Sequence, residues 1–466
     1  MSPTHDIVIV GGGSAGLTGA RFAARLGASV ALVEKHRIGG DCTWTGCVPS
    51  KALIRAAKSA HEARTAARFG VDVPAPVIDM KRVRDHVRAS IETVYEAERP
   101  EVLAEEGIEV VATPAQFVDS HSIGAGDRTL VARQFVVCTG ARPAIPPIPG
   151  LADVTHHTHE TVFDNDRLPE HLLVIGAGPI GAEIAQAYRR LGASVSLMAQ
   201  EMLPGTDPEV RDSVAATLED EGIGILLGDI DEVSMNGAEY VVRCPGGVAR
   251  GDMLLVATGR RPNVDGLALD KAGVDHGRHG IPVDRYLRSN VGHIYAAGDV
   301  LGGPQFTHLA GWQCFQAVRN ALLPGRDAGM PAVLPHVTFL DPEVAGVGLS
   351  EAEARNEHGA DVRVHRWTMQ ESDRAVADGH TSGFIKIVAT AGGGVLGASI
   401  IAARAGEMIG EFALAMDQGI GLSELSRTVH AYPTWTTAIQ QVASAEAVDR
   451  FLASRVGRIA RRMSGI

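Results

Sequence analysis

Cysteine is scarce in this chain: Cys42, Cys47, Cys138, Cys244 and Cys314 are the only five among 466 residues. So few, and an odd number of them, exclude a secreted disulfide framework, and in a reducing compartment a close pair points instead to catalysis or metal binding. Long hydrophobic runs are missing too, since no stretch of about eighteen uncharged apolar residues, as a membrane-spanning helix requires, is present. The amino end, Met1-Ser2-Pro3-Thr4-His5-Asp6, runs into an apolar strand without a signal-peptide pattern, so a soluble, cytoplasmic protein with no membrane partner is expected. Positive charge is in deficit, with 43 Lys and Arg against 55 Asp and Glu and a net charge of -12. That sign is wrong for neutralising phosphates, and nucleic acid is not expected as a partner. Low-complexity tracts are absent, and 45% hydrophobic with 21% charged residues excludes a disordered or fibrous chain. What is plentiful is glycine, 54 residues, which implies many tight turns. The length suggests about three domains.

The chain repeats itself. Ile9-Val10-Gly11-Gly12-Gly13-Ser14-Ala15-Gly16 has a counterpart in Val174-Ile175-Gly176-Ala177-Gly178-Pro179-Ile180-Gly181, and the same offset of 165 carries Arg25-Leu26-Gly27-Ala28-Ser29-Val30 onto an identical Arg190 to Val195. Each copy reads as apolar strand, glycine turn, Ala-rich helix and second strand, the βαβ order of a dinucleotide-binding domain. A second echo, Cys138-Thr139-Gly140-Ala141-Arg142-Pro143 against Ala257-Thr258-Gly259-Arg260-Arg261-Pro262, follows an apolar run each time. Between 36 and about 100 the first copy carries an insertion with helical periodicity, and Pro143 to Gly150 reads as an extended connector. Beyond a boundary between Leu322 and Pro331, strand-like Val333 to Phe339 and helix-like Glu407 to Gln418 mark a third, α+β region.

In a G-x-G-x-x-G turn the glycines allow a sharp bend and close backbone approach, so that a pyrophosphate sits on the amino end of the following helix. Gly11, Gly13 and Gly16 stand in that context, and Glu34 ends the next strand 18 residues after Gly16, placed to accept both ribose hydroxyls. The plain alternative, a glycine turn with a surface Glu, does not account for the strand before and the helix after. The second copy has Gly176, Gly178 and Gly181, but the offset puts Ala199 where Glu34 stands. Losing the acid relieves repulsion of a 2′-phosphate and leans the donor towards NADPH, while Gln200 and Glu201 follow where an arginine would strengthen that case; NADH stays open.

The most informative run is Gly39-Gly40-Asp41-Cys42-Thr43-Trp44-Thr45-Gly46-Cys47-Val48-Pro49-Ser50-Lys51. On an ideal helix two cysteines five apart have Cα atoms roughly 8.7 Å apart, too far for a disulfide. Irregular backbone at Gly46 and Pro49 would bring them closer. C-x4-C approaches zinc-ligand spacing, but no second Cys or His pair matches it, so redox chemistry is preferred and no resident metal is expected.

Over essentially its whole length the sequence resembles the pyridine nucleotide-disulfide oxidoreductase family, the flavoprotein group containing dihydrolipoamide dehydrogenase, glutathione reductase and mercuric reductase. The resemblance rests on the cysteine motif, both glycine turns, Tyr295-Ala296-Ala297-Gly298-Asp299-Val300 as a second flavin motif, and Asp341 to Gly348 as the start of a dimerisation domain. It implies two Rossmann-like domains, for FAD and for NAD(P), plus a C-terminal α+β dimerisation domain. Their expected limits are 1–148 and 280–328 for FAD, 149–279 for NAD(P) and 329–466 for the interface. It further implies a homodimer acting on a small-molecule acceptor, with electrons passing from nicotinamide to flavin to a Cys42–Cys47 disulfide. Cys47 would face the flavin and Cys42 attack substrate, with Lys51 beside the isoalloxazine and paired with Glu183, although each of these two could simply be a surface helix charge. Asp299 would bind the ribitol, and Ala115 and Thr307 would offer backbone contacts. Ser14, Ala15, Lys35, Asp41, Thr139 and Gly140 complete the FAD set, and Pro179, Ile180, Ala199, Gln200 and Gly259 the nucleotide set.

One part of the family pattern is missing. Where the thiol-disulfide reductases end with His-Pro followed by Glu, this chain reads His430-Ala431-Tyr432-Pro433-Thr434-Trp435-Thr436-Thr437, with Tyr432 at the His position and Thr437 at the Glu position. A phenol titrating near 10 is a poor acceptor for a thiol proton, which argues against ordinary lipoamide or glutathione disulfide reduction. In an extended segment His430 would project to the same side, as a helper or as a packing residue. Mercuric reductase shares the tyrosine, but the carboxyl-terminal cysteine pair that hands it the ion is absent: this chain ends Arg461-Arg462-Met463-Ser464-Gly465-Ile466. The acceptor is therefore expected to be a disulfide, a thiophilic metal ion or a metal–thiol complex. The alternatives are an NAD(P)H:quinone or dye reductase working directly from flavin, and a non-enzymatic redox sensor or scaffold. Trp44 is expected to pack, and Cys138, Cys244 and Cys314 to fill core.

Overall fold

The computed structural model describes residues 2–464. Two compact units emerge, Met1–Glu201 with Gly222–Pro331, and Met202–Glu221 with Ala332–Ile466.

The first unit starts with β1 (His5–Val10), whose Ile-Val-Ile-Val run is buried on both faces. Val8 and Val10 pack in one core with Phe117 and Phe135, and Ile7 and Ile9 in another with Leu17 and Ala20. A continuous apolar run is what a parallel strand covered on both sides needs. After α1 (Ser14–Arg25) the chain returns in β2 (Val30–Glu34), parallel to β1. The insertion is helical as expected, forming α2 (Gly40–Trp44), α3 (Cys47–Thr65) and α4 (Met80–Tyr95). It is followed by β3 (Ile108–Ala112), β4 (Ala115–Asp119), β5 (Ser122–Ala125) and β6 (Arg128–Val137). The sheet order is β3-β2-β1-β6-β5-β4.

The same unit then builds β7 (His171–Ile175), α5 (Pro179–Leu191) and β8 (Ser194–Ala199). Beyond an excursion, β9 (Ile223–Leu227) and β10 (Met253–Val256) complete a parallel sheet of order β9-β8-β7-β10. This repeats the β3-β2-β1-β6 arrangement and bears out the duplicated βαβ reading. Late in the unit β11 (Ile294–Ala296) joins β6, and α7 (Thr307–Leu322) packs on α1. That approach requires Gly19, where a Cβ would lie 2.4 Å from the Cys314 sulfur.

The excursion carries α6 (Pro208–Asp220) and groups with the C-terminal unit. Asp207 caps α6 and also holds Lys386, whose buried Nζ lies 2.9 Å from Asp207, 2.9 Å from Glu351 and 3.6 Å from Glu209. Removing that ammonium would strand the buried Asp207 carboxylate, a loss of about 3 kcal/mol. The rest of this unit is a five-stranded antiparallel sheet. Its strands are β12 (His336–Thr338), β13 (Glu343–Gly348), β14 (Val362–Thr368), β15 (Phe384–Thr390) and β16 (Val395–Ala402), ordered β12-β13-β16-β15-β14. Helices α8 (Ala405–Asp417), α9 (Leu422–Arg427) and α10 (Thr437–Ala453) contribute Phe412, Leu425 and Ile439 to its core, and α11 (Arg455–Met463) follows.

Candidate active site

A cavity of about 1310 Å³ opens at the carboxyl ends of β1, β2 and β6, entirely within the first unit. Gly11 turns there with φ +112°, and a Cβ on it would sit 2.3 Å from the Cys138 carbonyl oxygen. A Cβ on Gly16 would meet the Gly11 carbonyl at 1.8 Å, so only glycine lets α1 start this close to the strand. Of the residues expected to hold FAD, Gly11, Gly13, Ser14, Ala15, Glu34, Lys35 and Asp41 line the cavity, as do Ala115, Thr139, Gly140, Asp299 and Thr307. Cys42 joins them, while Gly16 lies beneath the turn. The Glu34 carboxylate is fixed by the Gly12 and His36 amides, which donate to its two oxygens at 2.7 and 2.8 Å.

Two contacts, one in the cavity wall and one behind it, carried no sequence signal of their own. Arg260 Nη1 lies 2.7 Å from Asp299 Oδ2 while Nη2 donates to the Gln305 carbonyl at 2.7 Å. Burial pushes the Asp299 carboxyl up, and Arg260 opposes the rise. The only hint was the Thr-Gly-Arg-Arg-Pro echo in which Arg260 stands. His159 is buried, and its Nε2 has no hydrogen-bond partner, with Asp41 Oδ2 4.0 Å away. A backbone turn open to a ligand at Gly140, the close-packed glycine turn at Gly11 and a carboxylate ending β2 are groups that FAD would satisfy. The residues present fit that cofactor.

Cys42 sits in the short α2 and Cys47 is the first residue of α3, with the break at Thr45 and Gly46 between them. A Cβ at Gly46 would lie 2.7 Å from the Asp41 carbonyl, so glycine permits the break. Pro49 lies within the first turn of α3, where its missing N–H costs nothing. Both cysteines are free thiols that hydrogen-bond each other. That bond, helped by Thr307 and the Lys51 ammonium, brings Cys47 down to about 6. The same bond and burial push Cys42 far up. The pair therefore divides into a Cys47 thiolate and a protonated Cys42. Thr307 Oγ1 lies 3.2 Å from Cys47 Sγ. Lys51 Nζ lies 2.8 Å from the buried Glu183 carboxylate on α5, joining the inserted helix to the second repeat. Trp44 is anchored, donating to the Ile38 carbonyl at 2.7 Å between Tyr95 and Arg37. Cys138 and Cys314 touch at 3.4 Å in the core, and Cys244 is buried.

The second turn repeats the first. Gly176 has φ +108°, its Cβ would meet the Ala257 carbonyl at 2.4 Å, and that of Gly181 the Gly176 carbonyl at 1.9 Å. Gly178 and Gly259 face open space, Pro179 begins α5, and Ile180 and Glu183 follow on its first turns. At the end of β8, Ala199 carries no acid, but the Gln200 amide donates to Asp229 from the segment after β9. The Asp229 carboxylate is thereby held beside the residue that follows β8.

Tyr432 and His430 lie in the C-terminal unit. The exposed Tyr432 hydroxyl donates to Asp373 at 2.9 Å, and that carboxylate raises the phenol further. Both ring nitrogens of His430 are engaged, with the Glu411 carboxylate at 2.8 Å and the Thr428 carbonyl at 2.9 Å. Thr437 Oγ1 donates to the Ala431 carbonyl at 3.1 Å.

Among the described residues no helix is long and apolar enough to cross a membrane. Comparison with known proteins gives a consistent pattern. Residues 5–314 match the family described as pyridine nucleotide-disulphide oxidoreductase, and 334–443 its dimerisation domain. The chain is 36% identical over 458 residues to mercuric reductase of Acidithiobacillus ferrooxidans, covering 95% of this chain and 83% of that protein. It is 33% identical over 463 residues to dihydrolipoyl dehydrogenase of Thermus scotoductus, covering 95% and 97%. The solved HOCl-induced flavoprotein disulfide reductase RclA from Escherichia coli, as its Cu(II) complex, superposes with a TM-score of 0.85 at 28% identity over 94% of this chain and 99% of that one.

Proposed function

The chain belongs to the pyridine nucleotide-disulphide oxidoreductase family, and on that premise we propose that it delivers electrons through Cys42 and Cys47 to a thiophilic metal ion or metal–thiolate complex. It is an FAD-dependent oxidoreductase served by a pyridine nucleotide and resembling mercuric reductase. FAD, when bound on the first repeat, supplies the two-electron link between nicotinamide and the cysteine pair.

The residues divide the remaining work. Backbone amides of the Gly11 turn and the amino end of α1 would hold the pyrophosphate, Glu34 the ribose, and Asp299 with Arg260 the ribitol. Lys51 sets a positive charge beside Cys47, and Glu183 keeps that charge oriented. Cys47 stays ionised, whereas Cys42 holds its proton until a soft metal replaces it, since a metal ligates thiolate. For a divalent ion the reaction balances as M²⁺ plus NAD(P)H giving M⁰, NAD(P)⁺ and H⁺.

The observation that carries the metal reading is the engagement of Tyr432 by Asp373 and of His430 by Glu411 and Thr428. Reducing a disulfide requires a proton for the departing thiolate; the Tyr432 phenol, raised further by Asp373, is a poor donor for it, and both ring nitrogens of His430 are directed to Glu411 and Thr428. Ligand exchange on a metal has no such need. Two similar proteins, a mercuric reductase and a flavoprotein disulfide reductase solved as its Cu(II) complex, support the same class. The dimerisation domain supports a homodimer in which Tyr432 serves the partner's site, and the domain limits 1–148, 149–279, 280–328 and 329–466 are retained as a proposal. For the donor, the Asp229 carboxylate held by Gln200 would repel a 2′-phosphate, which moves the reading from NADPH to NADH.

The test is NADH oxidation with Hg²⁺ in excess thiol, compared with a quinone, in the Cys42→Ser and Cys47→Ser enzymes. Metal-dependent turnover should fall by about 10³-fold or more, the scale of losing a nucleophile. Turnover surviving in both variants would transfer the function to direct reduction of a quinone or dye.

A further inference from the structure

The last described helix, α11 (Arg455–Met463), reads Arg-Val-Gly-Arg-Ile-Ala-Arg-Arg-Met. At 3.6 residues per turn, Val456, Ile459, Ala460 and Met463 fall in one sector about 100° wide, and the four arginines fall together outside it. The buried side of the helix is neither of these. It is Gly457, whose Cβ would lie 2.0 Å from the Phe451 carbonyl at the end of α10 and whose amide is capped by Ser454 Oγ at 2.9 Å. This contact turns the apolar sector outward: Val456 is 67%, Ile459 49% and Met463 84% exposed. Val448, Phe451 and Leu452 on the preceding helix α10 are exposed as well.

Charge selects the occupant. A chain of net charge -12 gathers Arg455, Arg458, Arg461 and Arg462 on nine residues that hold no acid. Arg455 and Arg462 border the apolar sector, where a long side chain extends its guanidinium to a phosphate while the neighbouring aliphatic groups enter an acyl layer. We propose that α11 docks this flavoprotein on a bilayer surface carrying anionic phospholipid, lying in the interface rather than spanning it. The proposal departs from the sequence expectation of no membrane partner, while no described helix is long and apolar enough to span a bilayer.

The test uses the FAD-loaded full chain and vesicles of phosphatidylcholine with or without about 30% phosphatidylglycerol. Sedimentation with the anionic vesicles only is expected, lost in 0.5 M salt as screening shortens to about 4 Å. Each arginine replaced by glutamine should weaken binding about fivefold. Ile459→Asp, at an exposed position, should abolish it while turnover stays unchanged. Equal binding to neutral vesicles, or none to either, would overturn the proposal. So would a change in the mass of the assembly in solution for the Ile459→Asp protein, which would give the patch to a second copy of the chain.

Discussion

The two glycine turns are nearly superimposable in their steric logic and different in everything that surrounds them. Gly11 and Gly176 hold φ near +110°, each against a carbonyl from a neighbouring strand end, and Gly16 and Gly181 leave under 2 Å for a Cβ. The walls then diverge. Where the first helix carries Thr18, bonded back to Ser14, the second carries Glu183, paired with Lys51. Where the first strand ends in Glu34, the second ends in Ala199 and obtains its carboxylate from Asp229 through Gln200. Backbone sterics make a dinucleotide site, and side chains brought in from distant segments decide what that site does.

The largest test of this comparison applies the same lesion twice. Gly16→Ala should yield protein without flavin and without turnover. Gly181→Ala should keep its flavin but lose at least about 100-fold in kcat/KM for the nucleotide, which corresponds to about 2.7 kcal/mol. Equal flavin loss in both variants, measured by absorbance per chain, would contradict the division of labour. A smaller, signed test concerns the pair that joins the repeats. With Cys47 near 6, its thiolate is lost as pH falls through that value. Lys51→Met removes a charge that favours the thiolate and should move the midpoint up by about one unit. Glu183→Gln removes one that opposes it and should move the midpoint down, read in the reduced enzyme as thiolate absorbance against pH. The smallest effect belongs to the exposed Asp229. Asp229→Asn should narrow a preference for NADH over NADPH by about fivefold, as expected of one exposed charge near a phosphate, and no change in that ratio would remove Asp229 from the site.

Much of this was legible before any coordinates. The duplication announced itself because a glycine turn admits so few residues that both copies keep the same ones, and the cysteine motif because Gly46 had to break a helix between Cys42 and Cys47. What stayed hidden was contact between segments far apart in sequence and free of local pattern. Arg260 reaches Asp299, Gln200 finds Asp229, and His159 lies beside Asp41. The grouping of α6 with the C-terminal unit depends on Asp207 meeting Lys386, 179 residues away. A two-residue spacing leaves His430 as helper or packing residue, and its ties to Glu411 and Thr428 belong to a fold that the spacing does not specify.

The most direct test of the central claim, that electrons pass through a Cys47 thiolate, is an anaerobic titration of the flavin-loaded protein with NADH, and separately NADPH, following the visible spectrum and free thiols. A long-wavelength thiolate-to-flavin band together with two new thiols per subunit is the predicted result, with NADH the faster donor. Flavin bleaching without new thiols would contradict it.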